Sequence, residues 1–170
     1  MKILISESEI KKRVNEIASQ IAKDYKGKKL FIISILKGSF IFAADLIRAL
    51  SCYNLKIEID FIKVRSYSGT ESTGKINFLS KVPDIAGKDV LIVEDIFDTG
   101  LTLEEIYNIL LKDNPNTLKI ATFIIKEKDR EFNIPIEYFG FKIKDLFIVG
   151  YGLDYNEDYR YLPYIGVISQ

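Results

Sequence analysis

The sequence contains no histidine and only one cysteine, Cys52, among its 170 residues. The lack of histidine excludes a catalytic triad built on imidazole and a zinc site held by histidine. A single cysteine excludes an intramolecular disulfide and a cysteine-rich metal site. General acid or base chemistry therefore falls to Asp, Glu, Lys or Tyr side chains, or to the ligand itself.

An excess of either charge is also lacking, because 24 Lys and Arg residues balance 24 Asp and Glu residues. No bulk electrostatic field favours nucleic acid or an anionic membrane, and we expect neither as a partner. No segment approaches the roughly 20 apolar residues that a membrane span needs. The apolar segment within Met1 to Ser6 is too short for a secretory signal, so we expect a cytoplasmic protein.

The residues that are present describe an ordinary globular protein, with 48% apolar and 28% charged side chains. A length of 170 residues suffices for one domain with a sizeable core, so we expect a single domain over residues 1–170.

Apolar patterns typical of strands and helices alternate along the chain. Ser6 and Glu9 form a capping-box pattern, and apolar residues at helical spacing predict a helix to about Tyr25. Further helical spacing is found over 42–50 and 103–111. Predicted strands cover residues 30–36, 55–64, 90–93, 118–125 and 146–149. The alternation predicts an α/β fold with a mainly parallel sheet, and we expect the N-terminal helix and the C-terminal loops to form a small hood.

Residues 66–75 consist of small hydroxylated residues, two glycines and few apolar side chains. Such a segment buries little and has no periodicity, so it is predicted to be a loop. A loop of about ten residues inside a compact domain is more often a lid than a plain connection.

The segment from Val90 to Thr102 is the most informative part of the chain. Four consecutive branched aliphatic residues, typical of a strand buried on both faces, run into Glu94 and Asp95, and Asp98 follows. These acids then lie at the carboxyl end of a parallel strand, where open α/β sheets bind ligands. Adjacent carboxylates can accept hydrogen bonds from a diol or hold Mg²⁺.

The residues after Asp98 predict a turn into a helix. The N–H groups at such a helix start have no intrahelical partner, and a phosphate monoester can bind them. The hydroxyls of Thr99 and Thr102 can add donors, and Gly100 permits a tight backbone path. From spacing alone, an ordinary capped helix after a solvated loop is an alternative. A receiver domain of signalling proteins is another, but it requires its acidic pair near the first strand, which here ends in Leu36-Lys37-Gly38.

Residues 90–102 resemble the 5-phosphoribosyl-1-pyrophosphate (PRPP) motif of the type I phosphoribosyltransferases: four hydrophobic residues, two acids, two variable residues, Asp-Thr-Gly and a Thr. Further segments narrow the resemblance to the hypoxanthine-guanine phosphoribosyltransferases, and it extends over essentially the whole chain. These segments are Leu36-Lys37-Gly38, Phe40, Asp45-Leu46, Ser66-Tyr67, Lys126, Phe147 to Tyr155, Arg160, Leu162-Pro163 and Ile165-Gly166-Val167.

The resemblance implies the type I phosphoribosyltransferase fold and a Mg²⁺-dependent reaction. Members transfer ribose 5-phosphate from PRPP to N9 of hypoxanthine or guanine, which gives IMP or GMP and pyrophosphate. A homodimer or homotetramer is also implied by this likeness. Members often carry a cis non-proline peptide in the segment that matches Leu36-Lys37-Gly38, which resembles their pyrophosphate loop.

The resemblance also assigns roles to single residues. Asp98 is the expected general base, which removes the N7 proton of the purine. Glu94 and Asp95 are expected to hold the ribose hydroxyls and Mg²⁺, and Asp154 a second Mg²⁺. The expected PRPP-binding residues also include Thr99, Gly100, Leu101, Thr102, Leu36, Lys37, Gly38, Ser66, Tyr67 and Arg160. The expected purine-binding residues are Lys126, Phe147, Ile148 and Asp154.

Leu146 is a departure from the family pattern, since many relatives carry Lys there, and any contact which that lysine makes is lost. Lys126 is still present to select a 6-oxopurine, with Phe147 as a stacking ring. Xanthine is not distinguished from hypoxanthine and guanine on these grounds. A rival interpretation is a regulatory protein of the same fold that senses PRPP or nucleotides and binds RNA or DNA. That interpretation requires a basic surface or an appended domain, and the balanced charge argues against it.

Overall fold

A computed structural model describes residues 1–66, 76–128 and 133–168. The helices are α1 (Glu7–Asp24), α2 (Phe40–Leu50), which a short 3-10 turn follows, and α3 (Leu101–Leu111). The strands are β1 (Lys2–Ile5), β2 (Lys29–Leu36), β3 (Lys56–Ser66), β4 (Ile76–Phe78), β5 (Asp89–Phe97), β6 (Thr117–Lys126), β7 (Tyr138–Ile143), β8 (Ile148–Val149) and β9 (Ile165–Val167).

The main sheet has six strands in the order β4-β3-β2-β5-β6-β7. All neighbouring pairs are parallel except β3 and β4. The predicted mainly parallel sheet is therefore confirmed. The chain passes from β2 outward to β3 on one side, and later from β5 to β6 on the other. The carboxyl ends of β2 and β5 therefore flank a switch point, where open α/β sheets form a ligand crevice.

The central strand β5 packs on both of its faces. Leu91 and Val93 belong to the core on the side of α1 and α2, whereas Val90 and Ile92 belong to the core on the side of α3. All four side chains are fully buried. Burial on both faces explains the uninterrupted apolar run, because side chains on both faces of the strand are shielded from solvent.

Helix α1 forms as its sequence predicts. The Ser6 side chain accepts a hydrogen bond from the N–H of Glu9, and the Glu9 carboxylate accepts one from the N–H of Ser6 at 2.8 Å. This reciprocal pair satisfies donors that the first helical turn would otherwise leave free. Its apolar stripe faces the core, and the helix ends at Asp24.

The hood is a three-stranded antiparallel sheet in the order β1-β9-β8. It joins N-terminal and C-terminal segments, so the predicted hood is confirmed. Helix α1 packs against α2 and β7 on the main sheet, since its buried stripe is part of the core cluster there. The N-terminal contribution to the hood is β1, which had not been predicted.

Two strand boundaries differ from those predicted. Strand β5 continues through the acids to Phe97, because β6 pairs with it up to the Phe97–Ile125 register. Strand β8 begins at Ile148, so Leu146 and Phe147 precede it and are exposed. Within the described part of the chain, no helix has the length and apolar content to cross a membrane.

Candidate active site

The turn between β5 and α3 is built around Gly100. This residue is the N-cap of α3 and has a φ of 79°, in the left-handed region that glycine adopts without steric cost. Its lack of a side chain means that the cap itself makes no hydrogen bond to the N–H groups of the first helical turn. A phosphate can therefore accept hydrogen bonds from that turn with the helix dipole behind it.

The ring of Phe97 supports this turn from below. A Cβ atom on Gly100 would lie 2.2 Å from the ring, so the backbone rests directly on it. Phe97 is buried, and beside it lies a cavity of about 120 Å³. The cavity is lined by Glu94, Ile96, Phe97, Asp98, Thr99, Gly100, Thr102 and Leu103. The structure thus brings Glu94, Asp98, Thr99, Gly100 and Thr102 to one small cavity, whereas the predicted Leu101 does not line it.

Glu94 and Asp95 form a carboxyl pair at the end of β5. Burial is the main cause that raises the pKa of Glu94 well above its ordinary value, and the neighbouring Asp95 carboxylate raises it further. Burial also raises the pKa of Asp95. Each carboxylate accepts one hydrogen bond from the next backbone N–H, at 2.9 Å for Glu94 and 2.8 Å for Asp95. Hydroxyl donors or a cation would stabilise the ionised form of this pair.

The predicted pyrophosphate loop lies against the carboxyl pair. Its Leu36–Lys37 peptide is cis, as the family resemblance implied. A Cβ atom on Gly38 would lie 1.6 Å from Oδ2 of Asp95, and a Cβ atom on Gly152 would lie 2.0 Å from the carbonyl oxygen of Gly38. The loop, the acids and the segment after β8 therefore meet without room for a side chain. This packing role of Gly152 was not predicted from the sequence.

The two cationic side chains expected to meet pyrophosphate both bind carboxylates. Lys37 Nζ lies 2.6 Å from Oε2 of Glu157. Arg160 lies 2.9 Å from Oδ1 of Asp154 and 3.3 Å from Oε1 of Glu157, and it donates to the carbonyl oxygen of Gly152 at 2.7 Å. Glu157 thus bridges Lys37 and Arg160. Glu157 was not predicted, because nothing near it in the sequence indicates the contact with Lys37, 120 residues away.

The expected purine residue Lys126 belongs to a ring of alternating charges. Its Nζ lies 3.3 Å from Oδ2 of Asp98 and 3.0 Å from Oδ1 of Asp145. Lys128 closes the ring by ion pairs with Oδ1 of Asp98 and, at 3.4 Å, with Oδ2 of Asp145. Lys128 and Asp145 were not among the predicted site residues. The two-residue spacing of the lysines was the available signal, since alternate residues of an extended segment point to the same side.

Phe147 is held at the site edge, where a planar ligand can reach it. The residue is 39% exposed, and its ring meets the Tyr155 ring edge-on with centroids 5.4 Å apart and an interplanar angle of 88°. Because Tyr155 contacts Phe147 edge-on, it fixes the orientation of the Phe147 ring. Ile148 follows as the first residue of β8 and is buried. The expected interpretation of Phe147 as a strand residue is wrong, because β8 starts after it.

Carboxylates that could bind Mg²⁺ are present, but they do not form a complete set of ligands. Among residues 1–66, 76–128 and 133–168, no group of three or more acidic or thiol side chains is arranged to hold a metal ion. Glu94 and Asp95 nevertheless fit a hard cation, since burial raises the pKa of both carboxyl groups and the charge of Arg160 only partly offsets this at Asp95. Asp154 pairs with Arg160 and accepts a hydrogen bond from the N–H of Glu157 at 2.9 Å.

The predicted lid falls largely outside the described residues. Ser66 ends β3, and residues 67–75, which include Tyr67, are not among those that the structure describes. The expectations for Tyr67 and for the loop therefore stay predictions.

The fold and site together define a protein that binds a sugar phosphate at the switch point of a parallel sheet. A family model described as phosphoribosyl transferase domain matches residues 4–156. The hypoxanthine-guanine phosphoribosyltransferase of Dictyostelium discoideum is 43% identical over 171 residues, which cover 99% of this chain and 95% of that protein. The hypoxanthine phosphoribosyltransferase of Buchnera aphidicola is 47% identical over 174 residues, which cover 99% and 96%.

Solved structures give the same result. A hypoxanthine-guanine phosphoribosyltransferase from Bacillus anthracis has a TM-score of 0.90 and 43% identity, and the match covers 100% of this chain and 98% of that one. A hypoxanthine phosphoribosyltransferase from Staphylococcus aureus has a TM-score of 0.93 and 44% identity, with 99% and 91% covered. The chain belongs to the phosphoribosyltransferase family.

Proposed function

We propose that this protein transfers the 5-phosphoribosyl group of PRPP to N9 of hypoxanthine or guanine, with release of pyrophosphate and formation of IMP or GMP. The observation that carries the proposal is the meeting of a phosphate-binding turn, a carboxyl pair and a charged purine subsite at one sheet edge. Relatives of 43–47% identity over nearly the whole chain bear the corresponding names.

The PRPP half of the site follows from the β5–α3 turn. The 5-phosphate binds the N–H groups and hydroxyls from Thr99 to Thr102, in front of the positive end of α3. Glu94 and Asp95 accept hydrogen bonds from the ribose hydroxyls. The backbone around Gly38 lies against Asp95, so pyrophosphate bound to the Leu36-Lys37-Gly38 loop is close to the ribose. Its binding requires Lys37 and Arg160 to exchange Glu157 for phosphate oxygens.

The purine half lies at the ends of β6 and β8. Phe147 stacks on the base, and the backbone of Ile148 bonds its edge. The Lys126 ammonium donates to O6, which adenine lacks, so a 6-oxopurine is selected. Asp98 accepts the N7 proton as N9 attacks C1′ of the ribose. Positioning and electrostatic stabilisation by these side chains supply most of the acceleration.

Mg²⁺ is the cofactor that the acidic residues suit. Glu94 and Asp95 would hold one ion at the ribose and Asp154 a second, with substrate oxygens and water as the remaining ligands. When bound, Mg²⁺ neutralises charge on the leaving pyrophosphate.

The same proposal includes a homodimer or homotetramer. Phe40, Ile59 and Phe61 are exposed by 43%, 37% and 41%, and Ile59 and Phe61 lie on one face of β3. Exposed large apolar side chains on one surface favour burial against another copy. The cytoplasmic location expected from the sequence stays a prediction.

A steady-state assay tests the proposal. Purified protein, PRPP and Mg²⁺ are combined in turn with hypoxanthine, guanine, xanthine and adenine, and nucleotide formation is followed. We expect turnover of hypoxanthine or guanine and none of adenine. Preferred turnover of xanthine would change the substrate assignment, and no turnover of any 6-oxopurine would contradict the enzymatic function.

The variant Asp98→Asn tests the proposed base, because it keeps the side-chain shape but removes the proton acceptor. We expect kcat to fall by about 100-fold or more, the range that general base catalysis contributes, while the KM for PRPP changes little. Equal losses in kcat and PRPP binding would instead assign Asp98 a structural role.

A further inference from the structure

The charged ring around Asp98 contains one lysine more than the proposed chemistry uses. Lys126 occupies Oδ2 of Asp98 and Lys128 occupies Oδ1, and both lysines also contact Asp145. Both oxygens of the proposed base are therefore engaged before a purine arrives. A purine N7 proton must therefore compete with two ammonium groups for Asp98, and it has the best access when one lysine moves.

The contacts indicate which lysine moves. In the proposed reaction Lys126 donates to O6 of the purine, and O6 lies beside N7 on the same edge of the base. When the Lys126 ammonium turns to O6, it frees Oδ2 of Asp98 for the N7 proton. Asp98 then retains a partner only through Lys128 on Oδ1. Asp145 stays paired with Lys128 at 3.4 Å, so neither carboxylate is left without a counter-charge.

We propose that Lys128 is a positioning residue of the purine subsite: it holds Asp98 by Oδ1, so that Oδ2 of Asp98 and the Lys126 ammonium are released together to the N7 and O6 edge of a 6-oxopurine. This inference rests on the proposed transfer reaction. It adds a residue that contacts the base only through Asp98.

A purely structural role for Lys128 has little physical support. The side chains of Lys128, Asp98 and Asp145 are exposed by 33%, 41% and 55%, and Lys126 is the only buried member of the ring. Ion pairs of such exposure contribute little to folding stability, because water screens them. Their effect on where a single carboxylate points is local and can be large for a bound base.

The test compares Lys128→Met and Lys128→Arg with the wild-type protein in the assay above. Without Lys128, Asp98 binds Lys126 with both oxygens and competes with the purine for that ammonium. We expect the KM for hypoxanthine to rise about three- to fivefold in Lys128→Met, the upper range for the loss of a partly exposed ion pair. The kcat and the KM for PRPP should stay within about twofold of wild type. Lys128→Arg should restore the KM, because a guanidinium can still bridge Asp98 and Asp145.

Lys144→Met is the matched control, since Lys144 is an exposed lysine on the connection that also carries Asp145. It should leave all three parameters unchanged. An unchanged or lower hypoxanthine KM in Lys128→Met overturns the proposal, as does a parallel loss in PRPP binding and melting temperature. Failure of the wild-type protein to turn over any purine refutes the proposed function instead, so the two failures are distinguishable.

Discussion

At the scale of single residues, the carboxyl pair of Glu94 and Asp95 is electrostatically costly in the protein without ligand. Both pKa values are raised by burial, and neither side chain has a cationic side chain bonded to it among the ion pairs of the described residues. Such a site favours a ligand that brings hydroxyl donors or a cation. Because ionising this pair destabilises the protein without ligand, we expect that removing one of the charges raises folding stability and weakens PRPP binding.

Glu94→Gln tests that trade. The pKa of Glu94 in the folded state lies above its ordinary value of 4.5, so its stabilising contribution is present below that pH and is lost as pH rises toward the folded-state pKa. Glutamine is isosteric with glutamate and does not ionise, so it adds no pH-dependent contribution to stability. We therefore expect a melting temperature above wild type at pH 8, by about 2–4 °C for each kcal/mol gained, with a difference that shrinks toward pH 5.

The measurement is thermal unfolding of both proteins without ligand across this pH range. The same variant should bind PRPP more weakly, because an uncharged amide is a poorer acceptor for the ribose hydroxyls. A pH-independent difference in melting temperature would contradict the electrostatic explanation.

Residue roles were predictable from the sequence where one motif carries the chemistry. Glu94, Asp98, Thr99, Gly100 and Thr102 line one cavity, as their sequence proximity required. The contacts of Lys128 with Asp98 and of Glu157 with Lys37 were not predicted, because these partners lie far apart along the chain. The two-residue spacing of Lys126 and Lys128 indicates that both lysines share a side, but only tertiary folding brings Asp98 to them.

At the scale of elements, the junction of β5 and α3 combines a backbone constraint with a packing constraint. Gly100 has a φ of 79°, and its Cα faces the Phe97 ring so closely that a Cβ atom would lie 2.2 Å from it. Any side chain at position 100 must move either the ring or the turn. The first turn of α3, where the phosphate is expected, would move with it.

Gly100→Ala should therefore damage PRPP binding specifically. We expect the KM for PRPP to rise about tenfold or more, equivalent to at least about 1.4 kcal/mol, with a smaller change for hypoxanthine. Steady-state kinetics with each substrate varied in turn gives both values.

Gly87→Ala is the matched control, since Gly87 has a φ of 70° but a Cβ atom added to it would have nothing within 4 Å. It isolates the cost of a non-glycine residue at positive φ, about 1–2 kcal/mol, and should lower the melting temperature without changing either KM. If both variants affect PRPP equally, the packing on Phe97 is not the cause.

Element prediction succeeded where apolar periodicity is strong and long. Helices α1, α2 and α3 and strands β2, β5 and β6 follow their predicted patterns. Strands β1 and β9 have four and three residues, too few for a pattern, and form because they pair with each other. The extension of β5 through Glu94 and Asp95 likewise depends on pairing with β6, which the polar sequence does not indicate.

At the scale of the whole molecule, buried tyrosines join the helices to the sheets. Tyr138 donates to Asp24 of α1 at 2.5 Å, and Tyr151 donates to Asp45 of α2 at 2.7 Å. Burial is the main cause that raises the pKa of Tyr25, Tyr138 and Tyr151 far above the ordinary value of 10.0. These hydroxyls therefore stay protonated while the protein is folded.

This predicts a coupled alkaline transition. A folded-state pKa above the unfolded value means that the stabilising contribution of these tyrosines is present below about pH 10 and is lost as pH rises beyond it. In an alkaline titration, part of the tyrosinate absorbance should appear only when circular dichroism reports unfolding. Tyr138→Phe should make this late absorbance step smaller by one tyrosine. Complete tyrosine ionisation in a protein with native circular dichroism would contradict the prediction.

The sequence by itself determined the alternation of strands and helices, the buried central strand and the local order of the PRPP motif, because periodicity and adjacent residues encode them. Tertiary structure decided the sheet order, the hood of β1, β8 and β9, and the packing of Gly38 between Asp95 and Gly152. It also decided that Asp98 is held by two lysines and that Glu157 bridges Lys37 and Arg160. These features depend on distances between segments remote in sequence, and only a folded chain fixes such distances.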